Sequence, residues 1–442
     1  MTYFAPSRFA FRDEDIFDLL GIGFGPSNIS VAIAQREMAP ELRCLYLEKR
    51  DSFGWHDSML FDDATMQVSF LKDLASFRNP RSHFTFVNFL HSQARLADFS
   101  NLQTLFPRRV EFHQYLSWCA DFFKDEVAYG SQATCIERVT HDGTPLFQVT
   151  VHDVDGERTV LARNIVHSGG LIPHIPFPAP ETDRIFHGYH ILNRTGSIPE
   201  GSHVAVAGAG QSAAEIVQYL LRQGARVTAI LPRFGYMPAD DSPFVNQVFD
   251  PDEADTFFDA QDRTRDKILQ MHATTNYSGV DLDLVKEIYA DWYQGRILGQ
   301  SRLEFRRMCR IAGATVEGSS VTLQIADELA GATTALNVDY LVCATGFRPS
   351  SACAIMSSEL QSQVTTGEDG TPLFARDYSL VTSLDADTAV YAPHMTERQH
   401  GLTATLLSRM AVRSGEIINS VREKAASHRR RFPRTEQVHA AG

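Results

Sequence analysis

Twice along this chain an apolar run breaks at glycines and resumes with helical spacing, and few folds accommodate that pattern twice. The first instance starts at Ile16-Phe17-Asp18-Leu19-Leu20 and turns through Gly21-Ile22-Gly23-Phe24-Gly25-Pro26-Ser27-Asn28. It continues as Ile29-Ser30-Val31-Ala32-Ile33-Ala34 and closes on Arg43-Cys44-Leu45-Tyr46-Leu47-Glu48, so residues 16–48 read as one βαβ unit. The second begins about 185 residues later with Val204-Ala205-Val206-Ala207 and turns at Gly208-Ala209-Gly210-Gln211-Ser212-Ala213. Ile216, Val217, Leu220 and Leu221 follow at helical spacing, Gly224 stops the helix, and Arg226–Leu231 returns as a strand.

In a G-x-G-x-x-G turn the first glycine permits the bend and the second lets backbone approach a pyrophosphate. The third allows close helix–strand packing, while the helix N-terminus offers free N–H groups and a positive dipole end. Gly21 and Gly23 fill the first two places of the first turn, and Pro26 takes the third, where an early helical position needs no N–H donor. Glu48, 27 residues after Gly21, ends the second strand where a carboxylate can accept from ribose hydroxyls. Gly208, Gly210 and Ala213 fill the second turn, with Ser212 beside them in the first helical residues. No acid closes the following strand; Arg233 stands nearby, which favours a 2′-phosphate and hence NADPH, with NADH left open. A single such turn serves equally well as a structural loop. Two of them suit a flavin and a nicotinamide, each needing its own pyrophosphate cradle, so FAD and NADPH are the expected cofactors.

Between and beyond these units the pattern is less regular. Residues 55–123 are rich in aromatics and interrupted by Pro80 and Pro107, which suggests helices and loops. Strands are expected around Phe147–Val151 and Val160–Val166, and prolines 173, 176, 178 and 180 suggest a crossing between domains. From Asp240 to about Gly299 the chain is polar and aromatic, with an amphipathic helix near Leu284–Tyr293. Asp339–Gly346 reads as a buried strand reaching a tight turn, and Arg429-Arg430-Arg431 as a solvated end.

Composition narrows the chemistry. The 442 residues carry 41 Lys and Arg against 54 Asp and Glu, a net charge of −13 that works against a nucleic-acid partner. Six cysteines without a C-x-x-C pair suit a reducing compartment and leave a disulfide reductase without its redox pair. No basic, then apolar leader and no long apolar stretch is present, so the expectation is a soluble cytoplasmic protein without a membrane partner. H-E-x-x-H and G-x-S-x-G are absent, and the histidines show no metal-ligand spacing. Electrons passing from NADPH to FAD then leave O2 as the expected oxidant.

Several strings now resemble those of the N-hydroxylating flavoprotein monooxygenases that act on L-ornithine or L-lysine in siderophore and related biosynthesis, and within that family the ornithine hydroxylases. They are Gly21–Asn28; Met66-Gln67-Val68-Ser69-Phe70-Leu71-Lys72-Asp73-Leu74; Arg78-Asn79-Pro80; Gly210–Glu215; Asp240-Asp241-Ser242-Pro243-Phe244-Val245-Asn246; Thr275-Asn276-Tyr277-Ser278; Ala344-Thr345-Gly346; His400-Gly401-Leu402; and Leu406-Leu407-Ser408. The resemblance implies an α/β fold of two Rossmann-like dinucleotide-binding domains. The FAD-binding domain, residues 1–180 and 335–442, is interrupted by an NADPH-binding domain over 181–334, whose segment 240–299 forms a small helical substrate-binding portion. It further implies N-hydroxylation of the ornithine side-chain amine through a flavin C(4a)-hydroperoxide, in a homo-oligomer, by family resemblance a homotetramer. Lys72 would pair with the substrate carboxylate, Asn246 would bridge nicotinamide and substrate, and Gln67 would orient the oxygen-bearing group beside the flavin. Asn276 and Ser408 would line the substrate and flavin pockets, and Thr345 and Leu407 would contact cofactor. Lysine, arginine or a diamine such as putrescine stay open as substrates. A monooxygenase of neutral substrates and a non-catalytic FAD-binding module are the remoter alternatives. This chain departs from several relatives in having Pro232 before Arg233 at the second nucleotide strand, and Gly279 where valine is common.

Overall fold

A computed structural model describes residues 11, 15–276, 279–384 and 387–431, except the side chains of 274, 276 and 428–431. Its first sheet grows outward from β1 (Ile16–Ile22), which lies parallel to both β2 (Cys44–Glu48) and the end of β6 (Gly156–His167). β3 (Val127–Tyr129) extends the parallel side next to β2. On the other side, β4 (Gln132–His141), β5 (Thr144–Asp153) and the first half of β6 form an antiparallel meander. The late strand Ala389–Tyr391 pairs parallel with the second half of β6, so the C-terminal part of the chain completes the sheet begun by its N-terminal part.

The helix α1 (Pro26–Met38) follows β1 directly and is buried on nearly every face, from Asn28 through Gln35. Ile29, Val31, Ala32, Ile33 and Ala34 are all fully buried, and the small alanines let the helix fit between the sheet and the long helix Met410–Arg431. The aromatic stretch after β2 supplies the rest of this core through the helices Phe86–Ser92, Leu96–Asn101 and Arg109–Asp121. Phe86 stacks on Phe112 with ring centroids 5.8 Å apart and meets the edge of Tyr115 at 5.4 Å.

The second sheet is wholly parallel, in the order Leu303–Arg307, Arg226–Leu231, His203–Ala207, Tyr340–Cys343, Ile185–His187. The near-continuous apolar sequence of its central strands, Val204-Ala205-Val206-Ala207 and Leu341-Val342-Cys343, is what burial on both faces demands. An antiparallel three-stranded sheet over Cys309–Glu317, Ser320–Asp327 and Ala332–Val338 covers one side.

These pairings revise the expected limits of the inserted unit. Tyr340–Cys343 lies inside the second sheet, between the strands at 203 and 185, so an end at residue 334 would cut that sheet. The chain instead crosses between sheets at Leu171–Pro173 on the way out and Phe347–Pro349 on the way back, and the two crossings pair antiparallel. Proline at 173 and 349 suits so short a ladder, which has little need of further N–H donors. The helix expected near Leu284–Tyr293 runs from Leu282 to Ile297. Among the described residues no helix is long and apolar enough to cross a membrane.

Candidate functional site

Between the two sheets lies a cleft of about 2220 Å³, lined at the first glycine turn by Gly23 and Gly25 and at the second by Gln211 and Ser212, the residues just after it, while Gly21, Gly208, Gly210 and Ala213 do not line it. At the first turn, Gly23 has φ +82°, and a Cβ there would sit 2.5 Å from the Ser168 carbonyl oxygen. Gly21 is required for a different reason: its Cβ would strike the Tyr46 ring at 2.3 Å. Gly25, the residue before α1, has open space where a Cβ would go and makes no side-chain cap, so the helix N-terminus faces the cleft unobstructed. Pro26 is the first residue of α1 and lines the cleft with Gly23 and Ser27. Buried Asn28 holds the turn in shape, its amide nitrogen donating to the Gly23 carbonyl at 2.6 Å and the Ile22 carbonyl at 3.3 Å. Its amide oxygen accepts from the Ser168 hydroxyl at 3.2 Å. Glu48 lines the cleft while accepting from the backbone N–H groups of Phe24, at 2.8 Å, and Arg50, at 3.0 Å. That leaves its carboxylate oriented, with lone pairs to spare.

The second turn repeats the plan. Gly208 has φ +139°, and a Cβ would lie 2.3 Å from the Ala344 carbonyl oxygen. Gly210 caps the helix Gln211–Arg222 without a side-chain bond, Ser212 lines the cleft, and fully buried Ala213 packs close to Gly208. Two cradles therefore have exposed helix N-termini and backbone that only glycine permits, which fits two dinucleotides.

Across the cleft, Lys72 stands half-buried with its ammonium 5.6 Å from the centre of the Phe249 ring. Burial pushes its pKa down, opposed by Asp250, and among the described residues no carboxylate comes within ion-pair distance. Its backbone is fixed by its neighbour: buried Asp73 accepts from the N–H groups of Ala75, at 2.9 Å, Ser76, at 2.6 Å, and Phe86, at 2.7 Å. Asn246, Phe249, Leu407 and buried Ser408 line the same cleft. Asn246 donates its amide to the Asp241 carbonyl at 2.7 Å, which leaves its amide oxygen to accept.

Gln67 joins the halves of the site. Its amide donates to Asp281 at 3.2 Å, and Asp281 also accepts from Gln211 at 3.0 Å on the second nucleotide helix. Gln211 bonds Glu215 in turn, and Glu215 makes a bidentate pair with Arg109 at 3.0 and 2.7 Å. Burial raises the Asp281 pKa. Neither Asp281 nor Arg109 was an expected site residue; both come from stretches with no motif, and only the folded chain brings them to Gln67.

A further pair escaped the sequence reading. His167, ending β6, and His394 face each other with ring centroids 5.2 Å apart, and both line the cleft near Gly23. Their Nδ1 atoms are buried without partners, and burial pushes the rings down to about 3 and about 4, so both are neutral.

Other expected residues lie elsewhere. Thr345 donates its hydroxyl to the His174 carbonyl, bracing the paired crossings, and is not among the residues lining the cleft. Arg233 lies beyond the end of its strand with a guanidinium nitrogen 3.9 Å from the Met237 sulfur, also outside the cleft lining. Asn276 ends a short helix, Ala273–Asn276; its side chain, together with Tyr277 and Ser278, falls outside the described residues.

Residues 15–349 match the family described as L-lysine 6-monooxygenase/L-ornithine 5-monooxygenase. The chain is 39% identical over 407 residues to an L-ornithine N(5)-monooxygenase of Burkholderia cepacia, covering 88% of this chain and 90% of that protein. It is 37% identical over 420 residues to the L-ornithine N(5)-monooxygenase of Pseudomonas aeruginosa, covering 92% and 94%. An ornithine N-hydroxylase from Kutzneria sp. 744, solved with reduced FAD, NADP+ and L-ornithine, superposes with a TM-score of 0.90 at 38% identity over 93% of this chain and all of that one. A match over most of the length, in both sequence and fold, makes this chain a member of the L-lysine 6-monooxygenase/L-ornithine 5-monooxygenase family.

Proposed function

We propose that this protein is an FAD- and NADPH-dependent L-ornithine N5-monooxygenase: R–NH2 + O2 + NADPH + H+ gives R–NHOH + H2O + NADP+. The observation that carries this reading is a half-buried ammonium, Lys72, with no carboxylate at ion-pair distance among the described residues and only Asp250 acting on it from further off, on one cleft with Gly23 of the first turn and Ser212 after the second. An amino acid supplies the missing carboxylate; a diamine does not.

FAD fits the cradle of Gly21, Gly23 and Pro26, with Glu48 toward its ribose and the partnerless Nδ1 atoms of His167 and His394 toward its polar linkage, His394 being held through Nε2 on the Ser350 carbonyl at 2.8 Å. NADPH fits the helix N-terminus at Ser212, which lines the cleft, with Gly208, Gly210 and Ala213 shaping the turn behind it without lining the cleft themselves; Arg233 and Thr345 also stand outside the cleft lining and have no assigned contact. Bound together, the two cofactors reduce O2 by two electrons and deliver one oxygen atom. The chain's own residues do the rest. Lys72 anchors one end of the substrate, and the Phe249 and Leu407 walls exclude water, which also favours the neutral amine that can attack oxygen. Asn246 and Ser408 offer polar atoms to the substrate and cofactor, and Gln67, held by Asp281, presents its amide beside them. The FAD-binding part comprises roughly residues 16–170 with 350–431, and the NADPH-binding part the residues between the crossings. The segment 240–299 supplies Asn246 and Phe249 to the substrate.

Six free thiols support a cytoplasmic setting. An exposed stripe of Tyr289, Tyr293 and Ile297 on one helix face supports a homo-oligomer. Product mass after turnover with ornithine, lysine, arginine or putrescine tests the reading: hydroxyornithine is expected to dominate. NADPH consumption that yields only H2O2 with every amine would defeat it.

A further inference from the structure

We propose that Arg409 is a positioning residue that sets the distance between the Lys72–Phe249 wall and the flavin-side turn at Leu407-Ser408, and so selects substrate length. The inference rests on the ornithine reading above. Arg409 immediately follows Ser408 and is 3% exposed. Its Nε donates to the Pro251 carbonyl at 2.8 Å, two residues after Phe249, and its other nitrogens grip Glu416 at 2.9 and 2.8 Å. The Tyr378 hydroxyl completes its shell.

The same ladder continues along the substrate segment. Glu416 also accepts from Arg376 at 3.0 Å, and Arg376 reaches Asp255. Phe257 lies against Gly401, where a Cβ would approach its ring to 3.3 Å, and His400 stacks on Tyr378 at 4.2 Å. The short stretch that carries Phe249 is thus bolted to the turn that carries Ser408 through one guanidinium, a planar fork whose donors are fixed in direction. A flexible amino acid held at its carboxylate by Lys72 has its reacting nitrogen placed by that span, and a misplacement of one ångström is costly to reaction. Loosening the span lets the longer lysine compete.

The test uses full-length holoenzyme with Arg409→Met, Arg409→Lys and Lys72→Ala. Arg409→Met is expected to raise KM for ornithine by about ten-fold and to shift the lysine-to-ornithine ratio of kcat/KM toward lysine by a similar factor. More NADPH is expected to be lost to H2O2, while the anaerobic rate of flavin bleaching by NADPH stays within about two-fold. Arg409→Lys keeps the charge and restores part of the selectivity. Unchanged KM and selectivity would overturn the proposal, as would equal losses of flavin content, bleaching rate and turnover, which mark a general structural role. Should Arg409→Met fail to fold, Asp255→Asn decides at the exposed end of the same ladder: a shift toward lysine of about three-fold supports the proposal and none overturns it. If Lys72→Ala leaves the ornithine KM unchanged, the ornithine reading has failed and takes this proposal with it; if Lys72→Ala raises KM and Arg409→Met does not, only the proposal has failed.

Discussion

Lys72 sits where burial lowers its pKa and Asp250 opposes the shift, so on the proposed reading an arriving substrate carboxylate would stabilise the ammonium as the ammonium fixes the carboxylate. Replacing it by alanine removes that point charge from a site half out of water. The expected result is a rise in the ornithine KM of roughly 10–100-fold, about 1.4–2.7 kcal/mol, with a much smaller change in kcat. Putrescine, which has no carboxylate, should bind both forms alike, and steady-state kinetics with the two amines checks both statements. Asn28 gives a second prediction at this scale. Its amide donates to two carbonyls inside the first glycine turn, so Asn28→Asp sets a carboxylate against them in a fully buried place. A loss of about 1–3 kcal/mol at the turn is expected, seen as protein purified largely without flavin colour. Lys72 was picked out in sequence because its string is distinctive, and the structure places it on the cleft; Asn28 was visible only as part of a motif, since the partners that explain it, Gly23 and Ser168, meet it only in the fold.

Elements divide by whether their signal is local. The two βαβ units were readable because apolar runs, glycines and helical spacing all lie within some thirty residues of one another, and both appear where expected. The meander strand Gln132–His141 went unread: its edge position leaves it half-exposed, with too few apolar residues to announce itself. Tyr340–Cys343 was seen as a strand yet placed with the FAD-binding part of the chain, because four apolar residues state that they are buried but not between which neighbours. Gly208 shows how far a local reading goes. Sequence predicts a glycine there; the structure adds the cause, φ +139° and the Ala344 carbonyl 2.3 Å from any Cβ. Gly208→Ala should therefore cost more than about 1 kcal/mol in stability and weaken NADP+ binding, while flavin content stays near normal. Titration of NADP+ against holoenzyme, beside its absorbance spectrum, separates the two cradles; flavin loss matching the NADP+ loss would contradict this independence.

At the scale of the molecule, one consequence of burying the site is sensitivity to acid. His56, His394 and His400 are pushed down to about 4 and His167 to about 3, chiefly by burial, so the native protein holds all four neutral. An unfolded chain protonates its histidines near ~6.5. Between those values the unfolded state binds more protons than the native one, so stability rises with pH there and falls as pH drops. The contribution of these groups is whole above about 6.5 and is lost progressively toward about 4. Glu37 and Glu416, whose native pKa values are lowered, act in the same direction but only at the lower pH where carboxylates titrate. The midpoint of thermal unfolding is accordingly expected to fall between pH 6.5 and 5, with the buried carboxyls of Asp73 and Asp281, whose pKa values burial raises, opposing the fall. His400 is the useful probe, since it stacks on Tyr378 and donates its Nε2–H to the Arg376 carbonyl at 3.1 Å, away from both glycine turns. His400→Asn keeps a polar group there without a charge to gain, and should flatten the pH dependence of Tm in this window while lowering Tm at pH 7.5 through lost packing. A variant whose Tm falls as steeply with acid as the parent's would show that His400 has no share in this loss.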